Sequence, residues 1–141
     1  MGGFRERPFV LVIDPEEAWV RQLESAYPEF RFRWFEDGEL GLRAVQRYGV
    51  GYRRELGGEG ASSSALSLVI LSADLPKLKG FYILQKIREW LPELPVVLGS
   101  IYPDLCPLAL QKGAIAFFQK PFSISQFRDV FSVPVHHVKE G

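Results

Sequence analysis

Four polar residues close uninterrupted apolar runs, and their types are the ones that do chemistry. Asp14 follows FVLVI, Ser72 follows LVIL, Ser100 comes just after VVL, and Lys120 comes just after AIAFF. A serine at such an end raises the question of a nucleophile. A serine hydrolase needs a base in reach and a sharp nucleophile turn. Neither is evident: the only histidines, His136 and His137, lie in an irregular tail, and no nucleophile-elbow motif surrounds Ser72. A phosphate-binding flavin or nucleotide loop after the first run is also disfavoured, because Asp14, Glu16 and Glu17 occupy that place and repel an anion. No enzymatic activity is expected.

The elements that must position these residues follow from periodicity. Runs at 9–13 and 68–71 lack alternation, as do strands buried on both faces of a parallel sheet, and 96–98 and 114–118 read as further strands. RFRWF alternates and reads as an edge strand, with Arg31 and Arg33 on its wet side. Helical spacing appears over 16–27, with Glu16 and Glu17 in the first turn, over 40–48, from Gly80 to Leu91, from Asp104 to Lys112, and over 125–130. Residues 49–65, rich in glycine and serine, read as a flexible insertion loop. Strands alternating with helices predict an α/β fold, a three-layer doubly wound sandwich around a five-stranded parallel sheet of the flavodoxin-like kind. In such a sheet the carboxyl ends of the strands share one rim, so Asp14, Ser72, Ser100 and Lys120 should face one another. One domain over 1–131 is expected, followed by a tail over 132–141.

Composition narrows the classes further. The chain has 141 residues, with 17 Lys plus Arg against 17 Asp plus Glu, so no whole-molecule field draws it to nucleic acid or to an anionic membrane. Arg43, Arg47, Arg53 and Arg54 read as a solvated helix edge and loop. The single Cys106 reads as a small buried hydrophobe. The apolar run near the N-terminus ends at Asp14, too short for a signal core or a membrane span, and the chain reads as cytoplasmic.

From FVLVIDP through SADLPKLKGF and PVVLGS to GAIAFFQKPF, the chain resembles the receiver domains of bacterial two-component response regulators, the CheY-like superfamily. Gly113-Ala114 followed by Lys120-Pro121-Phe122 is the most specific piece. The resemblance implies a signalling module that takes a phosphoryl group, sometimes within a phosphorelay, onto an aspartate at the end of the third strand. It also implies a divalent ion held by an acidic pair after the first strand. Asp14, Lys120, the switch hydroxyl Ser100 and the switch aromatic Phe117 match that pattern, and the resemblance implies a cis bond before Pro121. Two positions depart from it: Ser72 stands at the phosphoacceptor position, and Pro15 replaces the second acid.

A serine cannot form the family's acyl phosphate. Asp14 facing Lys120 makes a formally neutral pocket with few hard oxygens, so Mg²⁺ binding is expected to be weak or absent and no cofactor is expected. The chain thus reads as a degenerate pseudo-receiver, a phosphorylation-independent protein–protein interaction module. Asp74 is the alternative acceptor, although in the resembling family that place usually presents its backbone carbonyl to the site. The implied partner surface is the face of the fourth helix, fifth strand and fifth helix. There the apolar IYPDLCPLAL offers Ile101, Leu105 and Leu108 to a signalling partner or a homodimer, with no direct role for nucleic acid or membrane.

Overall fold

In the computed structural model, which describes residues 7–57 and 66–132, the apolar runs form a five-stranded parallel sheet in the order β2-β1-β3-β4-β5. β1 (Phe9–Ile13) and β4 (Val96–Ser100) are buried at every residue, and β3 (Leu66–Ser72) at all but one. β2 (Arg31–Phe35) is an edge, as its alternation predicts, and is only partly buried. β5 (Ala116–Gln119) is the other edge and is partly exposed. The helices are α1 (Ala18–Ala26), α2 (Gly38–Gly57), α3 (Gly80–Trp90), α4 (Cys106–Gln111) and α5 (Arg128–Ser132). Short 3-10 turns at Pro103–Leu105 and Ile124–Phe127 lead into α4 and α5. This strand order is the flavodoxin-like one, with its rim of strand ends at the carboxyl side.

Alternate strand residues feed two cores. Leu11, Ile13, Val69, Leu71 and Leu98 meet Ala44 and Val45 of α2, Ile83, Leu84 and Ile87 of α3, and Ala109 of α4. On the other face Val10, Val12, Ile70 and Val97 meet Val20 and Leu23 of α1, with Phe127, Val130 and Phe131. Phe127 is fully buried there, stacked on Trp19 and Phe131 and edge-on to Phe118 and Phe122. Among the described residues, no helix is long and apolar enough to cross a membrane.

The expected loop over 49–65 begins later than its glycines suggest, because α2 runs through Gly57. Gly49 is there for a close approach: a Cβ at that position would lie 2.7 Å from Leu91 Cδ1. Arg53, Arg54, Glu55 and Leu56 are good helix formers, and the local cost of each glycine is about 1 kcal/mol. The remainder of that loop, 58–65, and the tail from 133, with His136 and His137, lie outside the described residues. At the other end, α1 begins only at Ala18, so Glu16 and Glu17 precede its first turn rather than filling it.

Gly80 fixes α3 to the site. Its N–H donates to Ala73 O at 3.1 Å, and a Cβ on it would meet Ser72 O at 2.1 Å and Ala73 Cα at 2.7 Å. Both obstacles are backbone. Gly80→Ala is therefore expected to lower stability by about 1–3 kcal/mol, read as a lower urea midpoint at unchanged slope.

Candidate functional site

Asp14, the residue after β1, is 1% exposed. A lone buried carboxylate is strongly unfavourable, so its partners decide whether it is tolerated. Oδ1 accepts the Glu16 N–H at 2.8 Å, and Lys120 Nζ lies 2.6 Å from Oδ2. The latter is an ion contact off the hydrogen-bond direction, which leaves Oδ2 with charge compensation but no aligned donor. The Asp14 carbonyl accepts Trp34 Nε1 at 2.8 Å, tying β2 to the site. Lys120 follows β5, its N–H donates to Ser100 O at 2.8 Å, and its bond to Pro121 is cis.

Ser72 is equally buried and is held from three sides. Its Oγ accepts from Lys120 Nζ at 3.0 Å and from the Asp74 N–H at 3.2 Å, and its hydrogen points to Asp74 O at 3.4 Å. A hydroxyl offers two acceptor sites and one hydrogen, so all are engaged. The basic group nearest it is an ammonium that donates to it, which is the reverse of what a nucleophile needs.

Ser100 is fully buried. Its Oγ donates to Asp74 Oδ2 at 3.0 Å and accepts the Tyr102 N–H at 3.1 Å. Asp74 is thus engaged twice, its carbonyl by Ser72 and its carboxylate by Ser100. Phe117, opposite Leu98, packs partly buried against the α2, α3 and α4 side of the core.

The four strand-end residues do converge, as expected. Missed in the sequence were Glu16, Trp34 and Tyr102, which act through a backbone N–H, an indole and a backbone N–H; only Trp34 has a side-chain signal that could have been followed. Pro15, Glu16, Asp74, Ile101, Tyr102 and Lys120 line an open cleft of about 460 Å³ over the pair. The inner pair is neutral, as the sequence implies, but Glu16 and Asp74 make the rim more acidic than that pair alone. Side-chain oxygen donors are few around Asp14. Mg²⁺ demands near-octahedral hard oxygen, Pro15 has no side-chain donor, and among the described residues no three His, Cys, Asp or Glu side chains are close enough to hold a metal.

Of the proposed surface residues, Ile101 is 54% and Leu108 38% exposed, whereas Leu105 turns inward against the core. Tyr102, Leu110 and Ile115 are exposed as well. Cys106 is half-buried rather than fully buried.

No protein-family model matches the chain. It is 24% identical over 139 residues to the DNA-binding transcriptional regulator NtrC of Escherichia coli K12, covering 96% of this chain and 26% of NtrC. It is 29% identical over 126 residues to the uncharacterized transcriptional regulatory protein YkoG of Bacillus subtilis, covering 86% of this chain and 48% of YkoG. The chain therefore spans between a quarter and a half of these relatives. Among solved structures it resembles a CheY-like response regulator receiver domain from Methanospirillum hungatei, with a TM-score of 0.74 at 16% identity, covering 96% of this chain and 99% of that one. The fold is the one seen in solved receiver domains.

Proposed function

We propose that this chain is a pseudo-receiver, a signalling module that binds a protein partner without phosphoryl transfer and without catalytic turnover. The observation that carries this reading is Ser72. It stands at the acceptor position with every hydrogen-bonding site of its hydroxyl engaged, beside a lysine already committed to Asp14. The partner surface is the apolar patch around α4, represented by Ile101, Leu108 and Leu110 rather than by Leu105, whose side chain supports the core.

A second reading has one observation in its favour. The Asp74 carboxylate is exposed, lines the cleft and lies 3.0 Å from Ser100 Oγ, so a phosphoryl group on it would have the switch hydroxyl in reach. Against it stands the small number of hard side-chain oxygens beside Asp14, with Pro15 contributing none.

Acetyl phosphate or beryllofluoride with Mg²⁺, followed by intact-mass measurement and amide NMR, separates the two. The expected result is no covalent adduct and no shift at Ser100 or Phe117. An adduct mapping to Asp74, with shifts spreading through those two residues, would establish the second reading instead.

A further inference from the structure

The free edge of β2 carries a basic device that the strand-end site does not use. Arg31 Cζ lies 5.1 Å from the Phe9 ring centroid, Arg33 Cζ 5.8 Å from Phe35 and 5.9 Å from Tyr48, and Arg47 Cζ 5.7 Å from Tyr48. Phe9 and Tyr48 meet edge to face at 4.8 Å, which joins the three arginines into one patch. Arg43 nearby pairs with Glu39, but among the described residues no carboxylate lies within ion-pair distance of Arg31, Arg33 or Arg47. Arg31 is the inner member, with Nε donating to Arg7 O at 3.5 Å and a buried Nη2 without an acceptor, whereas Arg33 and Arg47 are exposed. Guanidiniums held on rings keep their outer N–H groups in a fixed fork, the form suited to carboxylates.

The backbone beside them has no strand partner among the described residues. Arg31 N–H donates to Pro8 O and Phe35 O accepts the Asp14 N–H, so residues 31, 33 and 35 address the β1 side. By alternation, Phe32 and Trp34 turn their N–H and C=O groups outward. Among the described residues, no strand pairs with that side. An added strand would place alternate side chains on the face of Arg31 and Arg33 and the intervening ones on the half-buried face of Phe32 and Trp34.

We infer that the outer edge of β2 binds an extended peptide segment of a partner protein that alternates acidic and apolar residues, joined to the sheet by main-chain hydrogen bonds. Single-stranded nucleic acid fits less well, because it needs free ring faces for stacking, whereas Phe9 is 2% exposed and the Tyr48 ring is flanked by Phe9 and two guanidiniums. Charges on an edge also deter indiscriminate pairing. Selectivity for the sign of the incoming strand, together with dependence on its backbone, separates recognition from deterrence. The inference is independent of the phosphate chemistry and of the α4 surface.

The test uses the full chain and a fluorescent ten-residue peptide of alternating Glu and Val. The expected result is saturable binding with amide shifts at Phe32 and Trp34, weakened roughly tenfold, about 1.4 kcal/mol, by Arg33→Ala/Arg47→Ala. Methylation of alternate peptide nitrogens should abolish binding. Both arginines are exposed, and circular dichroism confirms that the variant is folded. The inference is overturned if no binding occurs, or if the methylated or the Lys-Val peptide binds equally well. Tighter binding of a thymidine oligonucleotide, or self-association through this edge that the peptide does not displace, overturns it too.

Discussion

Lys120→Met is expected to destabilise the chain by about 3–5 kcal/mol, the usual consequence of removing one partner from a buried ion pair. Asp14 is 1% exposed, and without the ammonium its carboxylate retains only the Glu16 N–H as a side-chain partner. Ser72 Oγ loses its lysine donor in the same step. Methionine keeps most of the stem volume, so the loss reports charge rather than packing. The double variant Asp14→Asn/Lys120→Met should recover most of the loss, because a neutral amide does not need the ammonium. Urea denaturation of the four proteins in a double-mutant cycle measures the coupling. Equal stability of Lys120→Met and the natural chain would mean that water, not Lys120, compensates Asp14, and the pocket would no longer count as a closed neutral unit.

Much of this arrangement is legible in the sequence because it depends on backbone order. Apolar runs mark four of the strands, the alternation of RFRWF marks one of the two edges, and those runs bring Asp14, Ser72, Ser100 and Lys120 to one rim without reference to any side-chain rotamer. What is not legible depends on local approach. Gly49 looks like a loop residue until Leu91 is seen 2.7 Å from where a Cβ on it would sit. Leu105 and Leu108 look equivalent on an apolar helix, yet only packing decides that one faces the core and the other solvent. The engagement of Ser72 is likewise hidden, since one of its donors comes from the adjacent turn and the other from Lys120, 48 positions along the chain. Ser100 reads as a hydroxyl facing the pocket, and only coordinates show it bound to Asp74.

Pro15→Asp/Ser72→Asp is expected to give the chain a Mg²⁺-dependent stability much larger than any shown by the natural protein. The two substitutions add carboxylates beside Asp14, at an exposed rim position and at a buried one. At an effective dielectric of 20, carboxylates about 4 Å apart repel by roughly 4 kcal/mol per pair. Lys120, now 2.6 Å from Asp14 Oδ2 and 3.0 Å from Ser72 Oγ, would be shared between two anions and cannot neutralise three. Without metal the variant should therefore melt below the natural chain. With Mg²⁺ it acquires hard oxygen ligands and should be stabilised by about 2.7 kcal/mol at a hundredfold excess over Kd. Ser72→Asp alone should respond less, because Pro15 still supplies no ligand. The natural chain's melting temperature should move no further in MgCl₂ than in NaCl of equal ionic strength. If it instead rises with Mg²⁺ as steeply as the variant's, then Asp14, Glu16 and Asp74 already form a competent ion site, and the phosphate-independent reading loses its electrostatic basis. If the folded double variant does not respond, the missing carboxylates are not what limits Mg²⁺ binding at this rim.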